Sequence, residues 1–155
     1  MRRGFLALAV AVHLGCGSST APSPLYAHYT LMSLDGKPLP VAFGQDGSML
    51  VSGFLDFGTL ARPRGPEPVS GTVTYALDFQ RPDQSIDHSK SQLNYSIREG
   101  MLRIDLCPPG ALCITTTELV GPFADHQAEL VLTHYVAGTP MSVYRFVAAG
   151  SGGAK

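Results

Sequence analysis

The densest group of side chains that could do chemistry lies in the segment "SIDHSK" (85–90). It contains Ser85, Asp87, His88, Ser89 and Lys90. In nucleophilic hydrolases a histidine takes the proton of a serine and an aspartate orients the histidine, but these groups come from separate elements of the fold. Here they are neighbours within "RPDQSIDHSKS" (81–91), a polar stretch typical of a loop, and no Gly-x-Ser-x-Gly motif positions a nucleophile. We therefore expect a solvated loop, and not an enzyme.

The histidines do not form a metal-binding pattern. Beyond His88, the region after residue 15 contains His28, His126 and His134. His126 and His134 share strand parity, but eight residues of strand separate them by about 26 Å, so they cannot bind one ion. A glycine-rich phosphate loop is also absent from the sequence. We predict surface or rim histidines, no metal site and no cofactor.

The N-terminal residues indicate export. Two arginines are followed by an uncharged run, Gly4–Leu14, which is shorter than the roughly 20 residues of a membrane-spanning helix and is typical of a signal peptide. The sequence "LGC" at its end resembles a bacterial lipobox. That resemblance implies cleavage after Gly15 and lipidation of Cys16, and Gly17 in place of aspartate implies sorting to the outer membrane. The alternative is an ordinary signal peptide that leaves Cys16 as an incidental thiol.

The chain therefore divides into a short leader and one domain. We predict a signal peptide at 1–15, a lipidated cysteine and flexible tether at 16–25, a single β-barrel domain at 26–149 and a disordered tail at 150–155. The membrane is expected as a partner through the lipid alone, with the domain facing the periplasm. Without residues 1–15 the net charge is about −3, and no basic run exists, which argues against nucleic acid.

The remaining two cysteines, Cys107 and Cys113 in "CPPGALC", form an even set in an exported chain, so we predict one structural disulfide. Pro109 and Gly110 suit the central positions of a type II turn, which would bring the two cysteines together.

Apolar residues alternate with polar ones at period 2, and we find no run of ten or more residues with helical periodicity. A two-residue turn at Glu99-Gly100 would place Ile97 opposite Leu102, Tyr95 opposite Ile104 and Leu93 opposite Leu106, with a four-residue loop as the alternative. The other predicted strands are His28–Leu34 before a turn at Asp35-Gly36, Met49–Phe57 with a bulge or bend at Gly53, Thr72–Phe79, Cys113–Val120, Gln127–Tyr135, and Met141–Ala148 after a turn at 138–140. In Thr72–Phe79, Ala76 falls on the wet face.

About eight sequential strands predict an all-β fold, an antiparallel meander that closes into a small barrel, with a β-sandwich as the alternative. The "LGC" motif, the Ser/Thr/Pro tether, "YTLMSLDGKPLP" (29–40) and "VYRFV" (143–147) resemble small bacterial envelope lipoproteins with lipocalin-like β domains. That resemblance implies no catalytic residues.

A barrel of eight strands can be filled by side chains or can hold one small ligand. The inward row that would either form the core or line a site for a small apolar ligand is Val73, Tyr75, Leu77, Phe79, Leu93, Tyr95, Ile97, Leu102 and Ile104. The leading functional hypothesis is thus a lipid-anchored envelope protein that binds a small apolar ligand. The alternative is an interaction or inhibitor module that recognises an envelope protein through its loops, including the proline-rich segment Arg62–Pro68.

Overall fold

The computed structural model describes residues 28–58, 69–124 and 127–149. The secondary-structure elements of this part are all strands, and it contains no helix that could cross a membrane. The strands are β1 (His28–Leu34), β2 (Lys37–Pro38), β3 (Val41–Ala42), β4 (Met49–Asp56), β5 (Val69–Gln80), β6 (Ile86–Arg98), β7 (Met101–Asp105), β8 (Thr117–Pro122), β9 (Glu129–Val136) and β10 (Thr139–Ala148). The predicted signal peptide, Cys16, the tether, His126, the segment Arg62–Pro68 and the tail lie outside the described residues.

Eight of the strands form a closed antiparallel barrel. From β4 to β10 each strand pairs with the next, and β1 pairs with both β10 and β4, which closes the ring. The two-residue strands β2 and β3 extend the sheet beside β1 and β4. The predicted all-β meander and barrel are confirmed, and the sandwich alternative is wrong.

The barrel has two distinct ends. At the terminal end lie the first residue of β1, the last residue of β10 and the turn between β6 and β7. The distal end carries the β1–β4 and β5–β6 connections, the β9–β10 turn and the segment between β7 and β8 that contains Cys107 and Cys113. Because β10 is ten residues long, the two ends are about 30 Å apart along that strand.

The β6–β7 hairpin has the predicted register over most of its length. Glu99 and Gly100 have φ of 53° and 73°, as a two-residue turn with both central residues left-handed requires. Ile97 pairs with Leu102 and Tyr95 with Ile104. The third predicted pair, Leu93 with Leu106, does not form, because β7 ends at Asp105, where the chain leaves the side of β6.

The polar segment 81–91 is not a long loop, and this expectation is wrong. The connection comprises only residues 81–85, and β6 begins at Ile86. Residues 86–90 are exposed on both faces, which gives them the composition of a loop. Their backbone nevertheless pairs continuously with β5, from Gln80 opposite Ile86 to Val69 opposite Ile97, so that backbone pairing overrides the side-chain pattern.

Several predicted details of other elements are also wrong. The strand predicted from Cys113 begins only at Thr117, since the residues before it belong to the disulfide-closed loop. The irregularity of β4 lies between Leu50 and Ser52 rather than at Gly53. Gly53 instead allows the Leu77 side chain to pack close to the β4 backbone, because a Cβ at position 53 would lie 2.7 Å from a methyl carbon of Leu77.

The last hairpin and one buried alanine differ as well. Ala137 and Gly138, with φ of 50° and 78°, form the β9–β10 turn, and Pro140 is already part of β10. Ala76, predicted on the wet face, is only 7% exposed, because it pairs with Phe54 on one side and Lys90 on the other, and both are longer residues.

Candidate functional site: a disulfide-closed apolar loop

The reactive residue types come together in one place, on the outer face of the barrel. Asp78 of β5 pairs with Ser52 of β4 and with His88 of β6. The Ser52 hydroxyl donates to one carboxylate oxygen of Asp78, and Nδ1 of His88 lies 2.7 Å from the other. These contacts, that of Ser52 above all, lower the pKa of Asp78. The aspartate thus stands between the serine and the histidine, whereas a hydrolytic triad needs the histidine in the middle.

The other residues of "SIDHSK" have separate roles. Ser85 donates to Asp83 within the β5–β6 connection, and Asp87 forms an ion pair with Arg81 at 2.5 Å. Ser89 and Lys90 follow along β6 and are exposed. These residues are spread along a strand and do not converge on one point.

The described histidines are likewise dispersed. His28 stacks on Phe54 outside the barrel at 5.0 Å between ring centres, and His134 lies inside near Tyr144, where burial lowers the pKa of His134. Within residues 28–58, 69–124 and 127–149 there is no group of three metal-ligating side chains.

Sequence reasoning missed a pair of interior phenols, Tyr75 and Tyr144. Burial raises the pKa of both above the ordinary value for tyrosine, and each phenol contributes to the shift of the other. Tyr75 was predicted to point inward, but its partner in β10 was not identified. The pair is neutral at physiological pH and completes the packing of the interior.

The nine residues of the predicted inward row either belong to the buried core or pack against it. Val73, Leu77, Leu93, Tyr95, Leu102 and Ile104 are buried in one cluster, and Tyr75, Phe79 and Ile97 pack against it. Eleven large side chains of the described core are less than 2% exposed, so no water-sized space adjoins them. Among the residues that the sequence left open between core and ligand lining, the structure therefore favours core.

The segment between β7 and β8 is a closed loop, with Cys107 and Cys113 at disulfide-bonding distance and their Cα atoms 6.0 Å apart. The predicted type II turn is present: Gly110 has φ of 82°, and the Ala111 N–H donates to the Pro108 carbonyl at 3.0 Å.

Further bonds fix this loop to the barrel. The Cys107 N–H donates to the Asp105 carboxylate at 2.9 Å, and the Leu106 N–H donates to the Thr117 carbonyl at 2.9 Å. The Ala137 N–H of the β9–β10 turn donates to the Thr116 carbonyl at the same distance. The loop is thus held at its base and closed by the disulfide.

Two large apolar side chains project from this loop into solvent. Leu112 is 97% exposed and Ile114 is 98% exposed, one on either side of Cys113. Single exposed apolar residues are common, but two side chains so fully exposed on a cross-linked loop form a protruding apolar tip. Sequence reasoning missed this tip because it assigned residue 113 onwards to a half-buried strand. The signal that could have found it is the proline pair with Gly110, which extends the turn region towards Thr117.

The surroundings of the tip are uncharged. No acidic or basic residue occurs from Leu106 to Thr117, and the charged residues nearest in sequence are Asp105 and Glu118, both acidic. Glu118 is bound by Arg103 at 3.0 Å, and Asp105 caps the loop through Cys107. We refer below to residues 105–118 as the disulfide loop.

The described surface includes recesses large enough for a small molecule. One of about 430 Å³ lies between β6, β7 and the end of the disulfide loop, and one of about 460 Å³ lies at the distal end beside Phe43 and Phe79. Another, of about 510 Å³, is lined by Phe57, Gly58, Val69 and Tyr95, the last a residue of the predicted inward row.

Comparisons with protein-family models, with curated proteins and with solved structures found no match to this chain.

Proposed function

We propose that this chain is a lipid-anchored protein of the bacterial envelope that binds another envelope protein through its disulfide loop. The observation that carries the proposal is the near-complete exposure of Leu112 and Ile114 on a loop that is cross-linked and hydrogen-bonded at its base. Immobilising a contact loop before binding reduces the entropy lost on association. Exposed apolar side chains on such a loop are suited to a complementary apolar pocket.

The packed interior supports this role over the storage of a small apolar ligand. A ligand site in a barrel needs a cavity of about 300 Å³ or more. The described recesses above this size lie at the surface, where Phe79 and Tyr95 of the inward row contribute to their lining, whereas Leu93, Leu102 and Ile104 at the centre are at most 1% exposed. A ligand at the centre would have to displace several of these side chains. Opening such a cavity in a packed core lowers the free energy of unfolding by roughly 2–5 kcal/mol for each large side chain.

The position of the loop agrees with attachment at the N-terminus. Residues 1–27 precede β1 at the terminal end, whereas the disulfide loop is at the distal end. In our proposal, acyl chains on Cys16 hold the terminal end near the outer membrane, and Leu112 and Ile114 face the periplasm. Glu118 is paired with Arg103, but Asp105 has no basic partner among the described residues, and its charge disfavours insertion into an anionic lipid surface. We therefore propose a protein as the partner.

Support for binding rather than catalysis comes from the order of the contacts on the outer face. His88 cannot take a proton from Ser52, because Asp78 lies between them. Asp78 instead joins three adjacent strands, a structural role. The proposal therefore assigns no catalytic residue.

The proposal is tested by capture from envelope extracts with the full chain purified in detergent. The double variant Leu112→Ser/Ile114→Ser should lose a specific partner, whereas Met141→Ser, which removes another exposed apolar side chain of the distal end, should retain it. A synthetic disulfide-cyclised peptide of residues 105–118 should compete with the protein for that partner. Equal capture by both variants, or no competition by the peptide, would contradict the proposal.

The anchor is tested separately by intact-mass analysis. Chain purified from its host should begin at Cys16 and carry the mass of two or three acyl chains, and Cys16→Ser should release it from the membrane fraction. A free Cys16 thiol would contradict the lipid anchor and leave the loop proposal in place. In the same spectra, a retained small apolar molecule would favour the ligand-binding alternative.

A further inference from the structure

Among the described residues, no strand lies beside one side of β6 over most of its length. All thirteen residues of β6 except Arg98 pair with β5, but only residues 95–98 pair with β7. The described part of the chain provides no strand beside residues 86–94 on the β7 side. We call these nine residues, Ile86–Asn94, the free edge of β6.

The phase of the hydrogen bonds shows which backbone groups the free edge presents. The Arg81 N–H donates to the Ser85 carbonyl, so Arg81 and Ser85 form a hydrogen-bonded pair. The two kinds of pair alternate in an antiparallel sheet, so the next pair, Gln80 and Ile86, is not hydrogen-bonded, and the N–H and C=O of Ile86 point away from β5. The turn at Glu99-Gly100 leads to the same assignment from the other end of β6. Arg98 and Met101, which flank this two-residue turn, form a hydrogen-bonded pair, so the even-numbered residues of β6 direct their N–H and C=O groups towards β7. The N–H and C=O groups that point outward along the free edge belong to Ile86, His88, Lys90, Gln92 and Asn94.

The free edge lacks most features that protect exposed edges. Natural sheets use bulges, prolines, several charges or very short strands for this purpose. The β5–β6 pairing has no register shift, whereas β1, β4 and β10 each take part in one, and residues 86–94 contain no proline. Lys90 is the one lysine there, and it has no acidic partner among the described residues.

A recess adjoins the point where β7 leaves this edge. It measures about 430 Å³, and its lining comes from three segments: Asn94, Tyr95 and Ser96; Arg103 and Asp105; Thr116, Thr117 and Glu118. An extended segment laid along the free edge would continue the line of β7 and would end in this recess. Its backbone would hydrogen-bond to the outward-pointing N–H and C=O groups of the five β6 residues named above, as in other complexes formed by strand addition.

We propose that the free edge of β6 binds an extended segment of a partner protein as an added strand, with an acidic side chain of that segment opposite Lys90. Lys90 and His88 lie on the outer face. Because His88 already contacts Asp78, Lys90 is the basic side chain of this edge that can pair with an acidic residue of a partner. A second copy of this chain is a poorer occupant. Antiparallel pairing of two copies centred on residue 90 would place Lys90 opposite Lys90, and like charges in that position are destabilising. The proposal concerns a surface other than the disulfide loop.

The probe for this proposal is a displayed library of random linear dodecapeptides, selected on the full chain purified in detergent. Selected peptides should slow amide exchange at residues 86–94 and should carry Asp or Glu. Lys90→Pro removes one outward N–H without removing a bond to β5, so it should weaken peptide binding at least tenfold. Lys90→Ala keeps the N–H and should weaken it only about threefold. Unchanged circular dichroism of both variants controls for folding.

Other outcomes would overturn the proposal. These are failure to select any peptide, protection elsewhere on the barrel, and equal binding to Lys90→Pro and the wild type. Protection of residues 86–94 that rises with protein concentration in the absence of peptide would show a second copy as the occupant and would also overturn it. The variant Leu112→Ser/Ile114→Ser should bind the selected peptides like the wild type, so failure of the loop proposal and failure of this one are distinguishable.

Discussion

Nδ1 of His88 lies 2.7 Å from a carboxylate oxygen of Asp78, and this contact joins two strands on the outside of the barrel. The second oxygen of the same carboxylate accepts the hydroxyl proton of Ser52, so three strands meet at Asp78. Ser52, Asp78 and His88, residue types that also occur in hydrolytic sites, thus form a hydrogen-bonded network across three strands.

We expect this hydrogen-bonded network to make a pH-dependent contribution to the free energy of unfolding. Hydrogen bonds from Ser52, and secondarily from His88, lower the pKa of Asp78 in the folded state. Since the folded pKa lies below the unfolded value of about 3.9, the contribution is complete above that value and disappears as the pH falls through the folded pKa. Asp78→Asn should cost about 1 kcal/mol at pH 7 in urea unfolding, and this cost should shrink as the pH is lowered below about 3.9. A cost that does not change with pH in this acidic range would contradict this. Ser52→Ala should move the Asp78 carboxyl titration, followed by NMR, towards its ordinary value.

The contrast between the solid core and the exposed loop can be measured with one residue type. Leu119 is 0% exposed and Leu112 is 97% exposed. Leu119→Ala should lower the free energy of unfolding by about 2–5 kcal/mol, and Leu112→Ala should change it by less than about 0.5 kcal/mol. Urea denaturation of the two variants provides the comparison, and a large cost for Leu112→Ala would mean that the loop packs against the barrel.

Opening the disulfide should destabilise the molecule moderately. For so short a loop the chain-entropy model gives about 2 kcal/mol. Cys107→Ser/Cys113→Ser should therefore lower the urea midpoint, and reductant should lower the wild-type midpoint to the same value while leaving the double variant unchanged. Cys16→Ser is the matched control, and its unfolding should resemble that of the wild type. A double variant as stable as the oxidised wild type would show that the base of the loop is held by its hydrogen bonds alone.

The β6–β7 turn offers a substitution in each direction. Glu99 has φ of 53°, a region that asparagine tolerates better, so Glu99→Asn should stabilise the barrel by about 0.5 kcal/mol. Gly100→Ala should destabilise it by about 1 kcal/mol through backbone strain alone, because the nearest contact of an added Cβ, with the Phe123 carbonyl, would be a comfortable 3.8 Å. Thermal unfolding of both variants tests this, and a neutral Gly100→Ala would show that the turn relaxes.

The sequence predicted the barrel because apolar alternation and short turns act locally. The register of the β6–β7 hairpin follows from two residues, Glu99 and Gly100, and from which side chains are apolar. Residues 86–90 were misjudged because no side chain there is buried, and only pairing with β5 makes them a strand. The exposure of Ile114 was missed because apolar, β-branched stretches usually form half-buried strands, whereas β8 begins only at Thr117.

We propose that this barrel is a packed scaffold that acts through the disulfide loop. Site-specific photo-crosslinking in living host cells tests it most directly, with a photoreactive residue in place of Leu112 and, as the control, in place of Val131, which is 39% exposed on the side of the barrel. We expect one discrete protein adduct from position 112 that disappears when Ile114→Ser is added, and no such adduct from position 131. Absence of an adduct at position 112, or the same adducts from both positions, would show that the disulfide loop is not the binding surface.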